Sequence, residues 1–559
     1  MRMMIQVMGF LLAMPVLCAQ HTYYVSPSGD DQAAGSVTAP WQHLQYGIDH
    51  MATGDTLILL DGVYREKIII RQPGIHLRAL HLHGAVLDGT GLTNREAMID
   101  VENASHILIQ GLEIRNNVMN DAIGIRISGQ GDHIVISENY IHDIHFSSDS
   151  TATATEQTNA QGIIVLGTGI QHAISGVEIT GNELAYCRLG YSEGIALNGN
   201  VKDFIVAGNH VHHLTNIGID LIGGEGTCPV DTLDVARDGR IMGNKVHDCL
   251  SDYATSAGIY VDGGKRITIM YNRVQHNGYG IEIGCEHPGR AASGIYVRNN
   301  FLLYNAETGL ALGGYDYPAG SGKVNGVDVS GNTFWMNDSL HTGTGSLFLS
   351  YVENAVIRNN IFVTDTDELW YGENNQPGLV MDYNLYYDTD GQDTDNSIEL
   401  NGTTYDGWAD FRSRTSYETH GYYRDPHLVT GSGGLPRLSA QSPVDNGDPA
   451  YTPLPGETDY FGRNRIAGAA VDTGAEEYDD NQAVASVIRI LSVYPNPVRH
   501  NLYLPGCEGG FYTVWDMRGH VVDKGMYIHP IPVEHWKAGV YWLWLHRNGK
   551  IFAGKFIKE

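Results

Sequence analysis

The chain has 559 residues, enough to bury large cores and to hold two or three domains. Its 35 basic and 64 acidic residues leave a formal net charge of −29, a field that repels nucleic acid and anionic lipid. It also disfavours polyanionic glycans unless a local basic groove or a bound cation overrides it, and with no run of ~18 apolar residues no transmembrane segment is expected.

Residues 1–20 read as a secretory signal: Arg2 gives the positive start, an apolar run from Met8 to Cys18 follows, and small residues precede His21. Lipidation at Cys18 is disfavoured, because Leu17 stands where a small residue is expected. Five cysteines then remain: Cys187, Cys228, Cys249, Cys285 and Cys507. Their number is odd and their spacing fits no zinc pattern, which leaves open both a Cys228–Cys249 bridge and buried free thiols.

The domain from residue 21 to 478 divides into an N-terminal cap (21–110), regular coils (111–365) and irregular last coils (366–478). In the cap, Trp41, Leu44 and Ile48 share one face of a predicted short helix after Pro40, placed to cover the first coil and protect its open edge. In the coils two phrases alternate. The first is an apolar-alternating segment ending in Asn, a variable residue and an apolar one. It recurs at Asn116, Asn139, Asn182, Asn209, Asn244, Asn272, Asn300, Asn332 and Asn360. The second is Gly-Ile/Leu, a variable residue, then an aliphatic one, at Gly124, Gly162, Gly194, Gly218, Gly258, Gly280 and Gly309.

Repeats of this kind predict an all-β, right-handed parallel β-helix, in which each coil buries its apolar face only by stacking on its neighbours. An Asn at the same bend of every coil would stack its amide on the next and satisfy buried backbone groups, a structural role. His212 and His213 fall at a turn and read as structural too. A linker at 479–487 leads to residues 488–559, whose short alternating strands between Asn, Gly and Pro turns predict a small β-sandwich.

Three sets of motifs carry resemblances. "HTYYVSPSGDD", "DTLILLDGVY" and "AVLDG" resemble the opening of secreted β-helix proteins, pectate-lyase-like ones among them, which supports the fold. "LSVYPNPVRHNLYL", "AGVYWLWL" and "GKFIKE" resemble the C-terminal sorting domain of the type IX secretion system of Bacteroidetes. That resemblance implies a partner, the type IX machinery, and a location outside the cell, either secreted or attached to the outer-membrane surface.

Aligning the coils by their glycines places acids at the outward positions of consecutive strands. Asp220 and Glu225 come from one coil, Tyr260 and Asp262 from the next, Glu282 and Glu286 from the third, with Glu193 and Asn198 before them and Tyr315 and Asp316 after. At ~4.8 Å between strands and ~6.7 Å along two residues, Asp262 and Glu282 have Cα atoms ~8 Å apart, within reach of a glycosidase carboxylate pair. Neighbouring glycines (Gly223, Gly224, Gly263, Gly264, Gly284, Gly313 and Gly314) serve either an open groove or simple bends.

The arrangement resembles β-helix glycoside hydrolases of the β-xylosidase type, in which an Asp after a Gly-Leu/Ile-Tyr-Leu strand is the nucleophile and a Glu on the next coil the acid. "GIYVDGG" and "GIEIGCEH" match it, but an aromatic follows the Asp in that family and Gly263 follows it here. The resemblance implies Asp262 as nucleophile or base and Glu282 as acid, with Asp220 and Glu286 in reserve. Glu193, Asn198, Glu225, Tyr260, Lys265, His287 and Tyr315 would contact a polysaccharide or oligosaccharide. Two rivals stand beside this reading: a polysaccharide lyase using Lys265, Arg266, His287 or Arg290 with the acids holding Ca²⁺, and a glycan-binding or adhesive β-helix without turnover. No other cofactor or metal is indicated, and a monomer is expected.

Overall fold

A computed structural model gives the architecture. It describes residues 20–478 except 315, 366–367, 374 and 393–396, and residues 489–559 except 491–492, 494–495, 505–509, 517–520, 528–529 and 548–549. The signal segment up to residue 19, the linker at 479–487, Cys507 and Tyr315 lie outside the described residues.

Among the described residues, three long sheets of 14, 13 and 13 strands run the length of the molecule, and the strands within each are parallel nearly throughout. Each coil contributes one strand to each sheet, the pattern of a parallel β-helix. One apolar core runs through it from Val25 to Phe411. The short helix Leu44–His50 forms as predicted, with Leu44 and Ile48 buried and Trp41 stacked on Tyr23 at 4.7 Å. At the far end the strand Ser397–Leu400 takes an antiparallel partner, Thr403–Asp406, and the helix Gly407–Arg414 buries Trp408 and Phe411.

The glycine phrase has a steric cause. Successive glycines face one another across coils, so that a Cβ at Gly218 would lie 2.5 Å from the carbonyl oxygen of Gly258, and one at Gly280 2.4 Å from that of Gly309. Only a missing side chain allows that approach.

The asparagine phrase builds a ladder. Asn182 Nδ2 donates to Asn209 Oδ1 at 3.0 Å, Asn244 to Asn272 at 2.9 Å and Asn300 to Asn332 at 3.0 Å. The chain of bonds runs from Asn139 to Asn384, where it ends on Glu418 at 2.7 Å. Asn116 is not a rung: the ladder position of its coil is Leu112, because Tyr140 pairs with Glu113 and the Leu112 N–H donates to Asn139. Asn116 instead takes a left-handed backbone at the next bend and faces Asp88. A second ladder, Asn277–Asn305–Asn337, stands at the bend after the third sheet.

The exit segment folds back along the coils. Glu457 accepts from Arg298 at 2.8 Å and Asn299 at 2.9 Å, Thr458 N–H donates to Tyr271, Ala475 N–H to Thr333, and Asp448 pairs with Arg358 at 2.9 Å. Cys187, Cys228, Cys249 and Cys285 are buried free thiols, so Cys228 and Cys249 are not bridged. Residues 489–558 form a five-stranded sheet and a two-stranded pair around Val498, Leu502, Val514, Leu543 and Phe556.

Candidate active site

The site grows from the second sheet. Ile219, Leu221, Ile259, Val261, Ile281 and Ile283 point into the core, fully buried, which turns the residues between them outward. Asp220 pairs in register with Ala196 on one side and Tyr260 on the other. Tyr260 pairs with Glu282, and Asp262 with Gly284. Asp220, Tyr260 and Glu282 thus form one row across three coils, with Asp262 two residues further along.

Outward does not mean open. Asp220, Tyr260 and Asp262 are only 3%, 5% and 3% exposed, which corrects their expected solvent-facing position. After Ile222 the chain turns back through antiparallel bridges between Ile222 and Gly263 and between Gly223 and Val235. The loop after Gly284 folds across from the other side. Its Glu286 N–H donates to Asp262 Oδ1 at 2.7 Å, and Glu286 Oε1 lies 3.5 Å from the Tyr260 hydroxyl. A Cβ on Gly224 would meet His287 and Arg290 at 2.8 Å. These glycines therefore serve close packing of loop on loop rather than an open floor.

Around the covered residues stand the reachable ones. Glu282, Glu193, Asn198 and His287 are half-buried, while Glu286 and Glu225 are exposed. His287 Nε2 lies 2.9 Å from Glu225 Oε1. Lys265 lines a neighbouring cavity of about 580 Å³, together with Gly263, Asp231, Arg290, Tyr317 and Lys323.

The acids act on one another. Burial, then the charges of Glu193, Asp262 and Glu286, holds Asp220 well above the usual carboxylate range. Its Oδ1 is buried without a hydrogen-bond partner among the described residues. Burial and Glu286 raise Asp262 in the same way, against the Glu286 N–H. Burial pushes Glu193 and Glu282 up to about 8, and Glu225 and Glu307 respectively are among the charges that add to it. Glu286 is exposed as a residue, yet the groups packed around its carboxyl end, and then the Glu225 charge, raise it too. Near neutrality such a cluster holds shared protons.

Glu307 escaped the reading of the sequence, although it stands two residues before Gly309 much as Glu193 stands one before Gly194. For metals, Glu225, Asp262 and His287 bring donor atoms within 4.8 Å of one another. An imidazole in the set suits calcium poorly, since calcium takes oxygen ligands. None of the groups with that spacing among the described residues consists of carboxylates alone.

A family model for the right-handed β-helix region matches residues 233–405, and one for the secretion-system C-terminal sorting domain matches residues 492–559. The uncharacterized protein YwoF of Bacillus subtilis is 33% identical over 425 residues, spanning 72% of this chain and 87% of YwoF. Pectate lyase PEL9 of Emericella nidulans is 36% identical over 84 residues, 14% of this chain and 20% of that protein. Among solved structures, pectate lyase Pel9A superposes at 14% identity with a TM-score of 0.46, covering 83% of this chain and 97% of its own. The GH136 lacto-N-biosidase of Eubacterium ramulus does so at 14% identity and 0.44, covering 72% and 68%. The right-handed β-helix and the type IX sorting domain are both borne out, and the latter marks a protein that is secreted or attached at the cell surface. Among the described residues no helix is long and apolar enough to cross a membrane.

Proposed function

The chain belongs to the β-helix family of Bacillus subtilis YwoF, and from that premise we propose that it is a carbohydrate-active enzyme that hydrolyses a glycosidic bond. The observation that carries this reading is the gathering of Glu193, Asp220, Asp262, Glu282 and Glu286 from successive coils into one electrostatically linked cluster. Glu282 is the general acid: half-buried, and protonated up to about pH 8, it can give its proton to a leaving sugar oxygen.

The second carboxylate must be reachable, and Glu286 is exposed where Asp262 is not. We therefore assign Glu286 as nucleophile or base. Asp262 becomes the positioning residue that holds the Glu286 backbone, and Asp220 a neutral acid beneath. Glu193, Asn198, Glu225 and His287 form the rim that would meet sugar hydroxyls.

Incubation with a glycan panel tests this. New reducing ends without the ultraviolet absorbance of an unsaturated product are expected. Glu282→Gln should lower the rate about 10²–10⁴-fold, and the native rate should fall as pH rises through about 8, where the acid loses its proton. Full activity in both Glu282→Gln and Glu286→Gln would refute the assignment, and glycan binding without any product would point to a binding module.

A second reading, β-elimination on a uronate, is favoured by the cavity beside the acids, where Lys265, Arg290 and Lys323 gather three cations, and by the PEL9 match. Lys265, whose ammonium makes no ion pair among the described residues, would be its base. Unsaturated products, lost in Lys265→Ala, would establish it.

A further inference from the structure

A second cluster lies on the third sheet. His210 and His212 alternate on the strand His210–Thr215 and so share its outer face, while His247 on the next coil stands in register with His212. A ring nitrogen from each of the three lies within 4.8 Å of the others. His212 and His247 are covered and His210 is half-exposed, so the group opens to solvent on one side. The preceding coil places Ala185 in register with His212, with Glu183 and the Tyr186 ring to either side of it.

The hydrogen-bond arithmetic around these rings does not close. His247 Nδ1 lies 2.6 Å from Asp248 Oδ2, so its N–H is given to the carboxylate and Nε2 keeps a lone pair. His247 Nε2 faces His210 Nε2 at 2.8 Å. Lys245 Nζ, which can only donate, lies 3.3 Å from that same His210 nitrogen and requires a lone pair there. One nitrogen cannot answer both: protonated it suits the His247 lone pair, and unprotonated it suits the ammonium. A cation seated among the three rings would meet the facing ring nitrogens as lone pairs and relieve the conflict. Neutral imidazoles at neutral pH are metal ligands.

We propose that His210, His212 and His247 form a binding site for a late first-row divalent metal ion of the zinc type, with a fourth position open to solvent. Three imidazoles select such an ion over calcium or magnesium. Outer partners hold the opposite ring nitrogens: Asp248 Oδ2 lies on His247 Nδ1, and His213 Nδ1 lies 2.8 Å from His212 Nδ1, which leaves Nε2 of both His247 and His212 for the ion, with Glu183 Oε1 3.3 Å from the latter. Bound there, the ion ties together the same two coils that carry Asp220 and Asp262, but on a different sheet. Exposed Lys245 swings aside when it enters.

The test uses the full chain, stripped with chelator and then titrated with zinc chloride, with bound metal measured by elemental analysis. One equivalent per chain is expected, together with a zinc-dependent rise of the thermal midpoint. His210→Ala and His247→Ala should each weaken binding by about 100-fold or more. Lys245→Ala, which keeps every ligand and removes a charge, should tighten it by about 10-fold. His133→Ala, in the separate exposed group His106–Asp132–His133, should change nothing. Absence of a bound equivalent, or loss only in His133→Ala, would overturn the proposal. Should His247→Ala fail to fold, unchanged affinity in both His210→Ala and Lys245→Ala overturns it equally.

Discussion

Two stacks of polar side chains run along this solenoid, one at the asparagine bend and one on the acidic face, and the same coil spacing sets both. Each Asn carries a donor and an acceptor, so one rung completes the next, and the run from Asn139 closes on Glu418. A carboxylate brings acceptors alone. Gathered on neighbouring coils, Asp220, Asp262, Glu282 and Glu286 cannot complete one another and repel or take up protons instead, and the Asp220 Oδ1 remains without a hydrogen-bond partner among the described residues. The geometry of a repeat is therefore neutral about stability, and side-chain chemistry decides whether stacking holds the fold or loads it.

Breaking the favourable stack should have the larger effect. Asn272→Leu removes the side-chain acceptor of the Asn244 backbone N–H and of one Asn244 amide bond, and the donor to the Ile241 carbonyl and to Asn300 Oδ1, while Asn300 Oδ1 keeps the backbone N–H of residue 272. Urea unfolding should show a loss of about 3–5 kcal/mol. A loss below about 1 kcal/mol would mean that water or a shifted neighbour replaces the rung.

The unfavourable stack should reveal itself through pH. The folded chain keeps protons on Glu193 and Glu282 up to about 8, whereas the unfolded chain releases them near the ordinary glutamate value of 4.5. Raising the pH through that window therefore costs stability. The thermal midpoint should fall from pH 5 toward pH 8, and Glu193→Gln with Glu282→Gln should flatten the slope. The smallest change is expected from Asp220→Asn, which swaps a carboxyl already held neutral for an amide. At pH 7 its stability should stay within about 1 kcal/mol of the native chain, and a large loss would mean that Asp220 is ionised and paired.

The fold was legible because two phrases recur, each with a cause that survives in the structure: glycines that must approach backbone to backbone, and amides that must pair. Asn116 was misplaced because its coil carries Leu112 at the rung position, and an asparagine at the following bend imitates the phrase. The second ladder was also there to be read. Asn277, Asn305 and Asn337 each follow a first-ladder Asn by five residues (272, 300 and 332).

Acid clustering was legible for the same reason, since glycine alignment is true register. Its burial was not. The segments 223–235 and 285–290 that cover Asp220 and Asp262 carry no period, and their position depends on contacts such as Glu286 N–H to Asp262. The helix Gly407–Arg414 stayed hidden too, because only Trp408 and Phe411 mark its inner face.

A stack of coils held only by nearest neighbours can melt piecemeal from either end. The returning exit segment removes that freedom, because Tyr271, Arg298, Thr333 and Arg358 sit on four successive coils and all are fastened to residues between Asp448 and Ala475. None of these coils can open without breaking its own tie to a strap that the other three hold in place. That half of the solenoid should therefore unfold in a single cooperative step.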